Sequence, residues 1–247
     1  MHQRASGQAV GATDRSDLAR VIASSSVVLL CLGAGATDVL SYLTLGQIFT
    51  SAMTGCAALF FLKLAGGQYP TALRAAIALP SYMVGCALAT ALQPADPEAA
   101  KSPFTLRRLL IAECLILGLY CILAGLGRHP PTGWSRDALI FLSATAMGVQ
   151  SIVARDLREP GISTVVLNPT MTSLGVALTK LSLGREPKLP RQNRLQIFVL
   201  LSYAAGATIT ALGIALHIHL TDLLPLIIAM LVLALQHSIC VRTTLDS

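Results

Sequence analysis

Charged side chains are scarce in this chain. They make up 12% of 247 residues, against about a quarter in soluble domains, while 54% of residues are hydrophobic. Between Val21 and Leu62 a single residue, Asp38, is charged. Such a composition excludes an ordinary soluble globule and points to lipid as the solvent. Strict apolar/polar alternation is also missing, which excludes an outer-membrane barrel. The chain lacks G-x-x-x-x-G-K-[ST], so it carries no P-loop for coupling to ATP, and it lacks the H-E-x-x-H and G-x-S-x-G signatures. No C-x-x-C occurs, and the six cysteines all fall in or beside apolar runs, where they read as small core residues. No metal site, no cofactor and no enzymatic activity are expected.

What is present is a series of runs free of Asp, Glu, Lys and Arg: 21–37, 39–62, 75–95, 114–127, 138–154, 160–179, 195–221 and 223–241. About 20 apolar residues cross a bilayer as a helix, and lipid-exposed irregular backbone is forbidden there by the cost of unpaired N–H and C=O groups. The expected fold is therefore an all-α polytopic membrane protein with six to eight transmembrane helices. Ala34-Gly35-Ala36 has the small-residue look of a signal-peptidase site, but the apolar run continues past it, so a retained first helix is expected.

The net charge of +6 would suit nucleic acid in a soluble protein, but here the basic residues sit in the connections between runs. They read as orientation signals and lipid-headgroup contacts, with no nucleic-acid partner. If all eight runs cross, Lys and Arg divide 13 to 5 between the two faces; if the second and sixth turn back, 14 to 4. Either count places both termini in the cytoplasm.

The chain also repeats itself. "SYMVGCALAT" at 81–90 matches "SYAAGATITA" at 202–211 at an offset of 121, "FTSAMTGCAAL" at 49–59 aligns with "STVVLNPTMTSL" at 163–174, and Gly35 falls opposite Gly148 at 113. The division follows: a polar N-terminus at 1–20, repeated halves at 21–126 and 138–241 joined by a linker at 127–137, and a tail at 242–247. In each half the second segment is short and interrupted, at Thr54-Gly55 and at Asn168-Pro169. Thr and Asn are N-cap residues and Pro suits the first helical turn, so a half-helix is expected to start at each point. Paired broken helices are the sequence pointer to a midplane site in secondary transporters.

"GATDVLSYLTLGQIFTSAMTG" at 35–55 and "AMGVQSIVARDLREPGISTVVLN" at 146–168 resemble the YoaK family of bacterial membrane proteins, which carry a domain of unknown function. The resemblance rests on Asp38 after a glycine-rich stretch, on Phe49, Met53, Thr54 and Gly55, and on Met147, Gly148, Gln150 and Arg155. It implies a membrane fold. Cys56 stands where the family usually has Asn after Thr-Gly, and Asn168-Pro169 replace a later Thr-Gly pair.

These readings converge on a secondary permease moving a small polar solute between two repeats, with Asp38, Thr54, Gly55, Gln150, Asn168 and Thr170 as substrate-binding candidates. A non-transporting scaffold or regulatory subunit is the alternative, and an intramembrane enzyme would require Asp38 and Glu113 to converge. Asp38 has two readings, a proton or cation site facing Gln150 or a group that caps a turn. Glu113 is expected to reach back toward Arg107 and Arg108. Gln150 should seek an interhelical hydrogen bond, and Tyr82 and Tyr203 are symmetric packing or cavity residues. Partners are lipid and the unidentified solute, and a homo-oligomer is compatible with the sequence.

Overall fold

The computed structural model describes residues 2–100, 102–126, 131–157 and 167–245, with side chains described from Arg20 onward except at Glu98, Leu167, Asn168, His219 and beyond Ser238. Regular structure among the described residues is helical throughout: α1 (His2–Thr44), α2 (Met53–Ala65), α3 (Tyr69–Ala91), a single-turn α4 (Pro97–Ala100), α5 (Pro103–Leu126), α6 (Gly133–Asp156), α7 (Leu167–Ser182), α8 (Arg191–Ala215) and α9 (Leu224–Leu245), with a 3-10 turn at His219–Leu223 before α9.

Six helices are long and apolar enough to cross a membrane: Arg20–Thr44 of α1, α3, α5, α6, α8 and Leu220–Ser238. The 13 residues of α2 extend about 20 Å and the 16 of α7 about 24 Å, both short of the roughly 30 Å hydrocarbon core. Two helices form the centre. In the most apolar stretch of α6 72% of residues lie inside the protein, and 61% in α1, against 28–33% in the other four. Helices α3, α5, α8 and α9 thus surround a central pair and turn apolar side chains such as Met83, Leu115 and Phe198 outward.

The direction of the chain decides whether α2 crosses. Gln150 meets Leu30 while Ser143 meets Ser41, so α6 runs antiparallel to α1. Three helical segments long enough to matter, α2, α3 and α5, lie between them in sequence. If all three crossed, α6 would run parallel to α1. Antiparallel packing therefore requires α2 to enter and leave on one face. Cys56 of α2 beside Ala75 of α3 agrees, since it pairs the two as a hairpin around the 66–68 turn. The arrangement is the one with six crossings.

Two close crossings tie the central pair to its neighbours. Helices α1 and α8 run parallel, with Gly35 against Tyr203 and Gly206 against Leu32, and a Cβ added at either glycine would overlap a backbone carbonyl. Helices α3 and α6 cross in the same way, Gly85 against Thr145 and Gly148 against Tyr82. Without side chains in the way, the backbones approach closely, the favourable geometry for helices in lipid, where burial from water supplies no driving force. Gly35 and Gly148 stand 113 apart and Gly85 and Gly206 121 apart, the offsets already visible in the sequence.

If α2 turns back, Gln68 and Lys188, both exposed, lie on opposite faces; if it crosses, they share one. In a cysteine-free background, a membrane-impermeant maleimide should label Gln68→Cys and Lys188→Cys from opposite sides of oriented vesicles. Labelling of both from one side would contradict this topology.

Candidate functional site around Asp38

Helix α1 ends where Leu45 and Gln47 donate back to Ser41 and Tyr42, around Gly46 at φ 101. Glycine is needed there twice over: the conformation is left-handed, and the Arg74 side chain fills the space a Cβ would take. The chain then reverses. Ile48 is wholly buried, and Phe49 stacks on Tyr42 with ring centroids 5.3 Å apart. Gly55 faces the Phe49 ring, where a Cβ would sit 3.3 Å away. The Phe-x-x-x-Met-Thr-Gly pattern is thus accounted for locally, with the aromatic ring folded onto the one helical residue that leaves room for it.

This reversal delivers Thr50, Ser51 and Ala52 to Asp38. The Asp38 side chain is 1% exposed. It lies six residues before the end of α1, or about 9 Å along the axis at roughly 1.5 Å per residue, and so inside the apolar layer. Its Oδ1 accepts the backbone N–H groups of Thr50 (3.2 Å), Ser51 (2.8 Å) and Ala52 (3.3 Å). Its Oδ2 accepts from Ser51 Oγ (2.6 Å) and from Tyr203 Oη on α8 (2.9 Å). Each of these partners can donate, which suits a carboxylate, an acceptor only. Since Ala52 is the N-cap residue of α2, Asp38 supplies the cap from another helix: no local side chain bonds there. A negative group at a helix N-terminus also meets the positive end of the dipole.

A second hydroxyl group extends the network. Thr50 Oγ1 lies 2.8 Å from both Ser41 Oγ and Ser143 Oγ, and all three residues are buried. One reversed segment is therefore held at once by α1, α6 and α8. On the α3·α6 side, Tyr82 Oη bonds Ser151 Oγ. Tyr82 is 121 residues before Tyr203, and Ser151 is 113 after Asp38, so the second contact repeats the first with serine in place of the acid.

The residues expected to bind a solute do not assemble around Asp38. Helix α2 begins at Met53, one residue before Thr54, and Thr54 faces outward. Gln150 makes the interhelical bond expected of it, donating to Leu30 O at 2.7 Å, about two turns of α1 away from Asp38. Helix α7 starts at Leu167, one residue before the expected Asn168-Pro169 break; the Asn168 side chain lies outside the described residues. Thr170 is fully buried with no partner for its Oγ1. Cys56 packs against α3 near Ala75. Ser41, Thr50, Ser51 and Ser143 went unrecognised in the sequence; the run Thr50-Ser51 in an apolar stretch was the signal available. Glu113 is 1% exposed and its Oε2 has no partner, so it does not reach Arg107 or Arg108, and it shares no partner with Asp38. Among the described residues no three of His, Cys, Asp and Glu converge as metal ligands.

Removing the acceptor strands three backbone N–H groups and two hydroxyls in a buried site. Asp38→Ala should cost about 3–5 kcal/mol of folding stability, the penalty for breaking a buried charged network. Tyr203→Phe, which deletes one bond to a charged group, should cost about 1.5–3 kcal/mol, and Tyr82→Phe, which deletes a neutral one, about 0.5–1.5 kcal/mol. Reversible unfolding in mixed micelles measures all three; equal costs for the two tyrosines would contradict the assigned difference.

The family model that matches residues 26–236 is described as "Protein of unknown function (DUF1275)". The UPF0700 transmembrane protein YoaK of Bacillus subtilis (strain 168) is 31% identical over 202 residues, covering 81% of this chain and 88% of that protein. No solved structure matches the chain. With six apolar helices, and with Asp38, the Phe49 turn and the Gly148 crossing inside the matched region, this chain belongs to the DUF1275 family of YoaK-like transmembrane proteins.

Proposed function

We propose that this protein is a secondary carrier for a small polar solute in the bacterial inner membrane, with both termini in the cytoplasm, working by the rocking of two inverted halves. The observation that carries this reading is the paired contact, Tyr203 to Asp38 and Tyr82 to Ser151, made on helices α1 and α6 that run in opposite directions. Inverted halves with discontinuous second helices are the architecture of alternating access. The half-helix α2 begins inside the apolar layer, on a carboxylate that can take up a proton. Protonation of Oδ2 turns it into a donor, so its bond with the Ser51 or the Tyr203 hydroxyl reverses direction, and the three amide bonds to Oδ1 weaken as the charge is lost, which loosens the segment leading into α2. That gives a physical link between proton binding and movement of one half. Thr54, Gly55, Gln150, Asn168 and Thr170 remain the solute-binding candidates on this reading, and lipid and solute are its partners. On this reading the chain performs no covalent chemistry.

A scaffold or regulatory subunit without transport is the competing reading. One observation favours it: both Asp38 oxygens are already satisfied, so the network is closed. Net orientation follows from the 14 to 4 division of Lys and Arg across six crossings.

Vesicles containing the purified chain and an entrapped pH dye separate the two. Presented in turn with neutral amino acids, sugars and short organic acids, they should acidify with at least one solute class. Asp38→Asn should slow that signal roughly tenfold or more, about 1.4 kcal/mol or more in barrier. Undiminished pH-dependent uptake in Asp38→Asn would remove the coupling role while leaving transport; no signal above protein-free vesicles for any class would favour the scaffold.

A further inference from the structure

Three acidic groups are buried among the described residues, Asp38, Asp156 at the end of α6, where Gln93 donates to it, and Glu113; nothing in the carrier reading uses Glu113. It sits in the middle of α5, within about 2 Å of the helix centre by rise per residue. The buried stripe of α5 runs Leu106, Leu109, Leu110, Glu113, Leu117 and Tyr120. Four residues before it, Leu109 belongs to a buried cluster that also takes in Val149 and Val153 of α6 and Val232 of α9; four residues after it, Leu117 belongs to another with Ala146 and Met147 of α6 and Ala229 of α9. Glu113 is therefore enclosed between α5, α6 and α9 with apolar layers above and below.

No charge faces it. Helix α6 carries none between Asp137 and Arg155, and α9 none between its start and His237. On α5 itself the nearest titratable groups are the adjacent Cys114, the arginines 107 and 108 more than a turn earlier, and Tyr120 two turns later. Gln150, the polar side chain at this level of α6, donates to Leu30 on α1. Helical carbonyls are engaged in their own ladders, so the oxygen donors a metal cation needs are not assembled here. A proton is the one cation that a single carboxyl binds without further ligands, and a buried charge without a partner is too costly to persist.

We propose that Glu113 is a membrane-embedded proton-binding site, separate from Asp38. Proton binding at Glu113 is a property of the chain whether or not it carries a solute. Asp38 accepts five hydrogen bonds, whereas Oε2 of Glu113 has no partner, so the two carboxyls occupy different environments.

Infrared pH-difference spectroscopy of the full chain in lipid vesicles, with no solute added, reads this directly. A protonated-carboxyl carbonyl band present at neutral pH and lost on alkalinisation is expected, absent from Glu113→Gln and retained in Asp38→Asn. In the unmutated chain grown with carbon-13 glutamate the band should shift to lower frequency, a result that does not depend on any variant folding. Glu113→Leu, which removes the unpaired oxygen, should leave the thermal midpoint unchanged or raise it. A neutral-pH spectrum without a glutamate-derived band, or a band that persists in Glu113→Gln, would overturn the proposal.

Discussion

The arrangement rests on one carboxylate inside oil. Asp38 on α1 must find partners or be expelled toward water, and the chain supplies four donors by turning back immediately after α1 ends and a fifth from Tyr203 on α8. The same bonds solve a second problem. The segment leading into α2 lies within the apolar layer, where the N–H groups of Thr50, Ser51 and Ala52 would otherwise be unsatisfied at several kcal/mol each. Either half of the contact would be costly alone; together they fix where α2 begins, which fixes that it does not cross, which in turn makes α6 antiparallel to α1.

Glycine crossings set the frame in which that contact forms. Gly35 against Tyr203 brings α8 close enough for the Tyr203 hydroxyl to reach Asp38, and Gly148 against Tyr82 does the same for Ser151. Close backbone packing and the tyrosine bond are thus two parts of one joint, and the joint occurs twice. The joints are not equivalent in charge: one holds an acid and the other a serine. On the carrier reading, that asymmetry makes proton binding a lever on α2 in particular.

Much of the frame was legible in the sequence because lipid makes composition informative. Apolar runs located the spanning helices, and the Ser-Tyr-x-x-Gly pair and the Gly35/Gly148 spacing, read from the sequence as signs of a repeat, fall on residues at the two glycine crossings. What was hidden is whatever depends on an extended segment folding back. The cap on α2 comes from a residue 14 positions before Ala52, a separation with no helical period, so Thr54 was favoured as a local cap by its residue type alone. Charge counting left six and eight crossings open because turning the second and sixth segments back moves four Lys and Arg off the richer face and five onto it, so the totals nearly cancel. Glu113 was read from nearby arginines along one helix, whereas its surroundings are set by two other helices remote in sequence.

The direct test of this account is hydrogen exchange at the amides of Thr50, Ser51 and Ala52, followed by mass spectrometry of the peptide that spans them in lipid nanodiscs. If Asp38 holds the start of α2, these amides are protected in the unmutated chain and lose protection in Asp38→Ala while the amides of α1 and α6 keep theirs. Equal exchange of this peptide in the two proteins would contradict it.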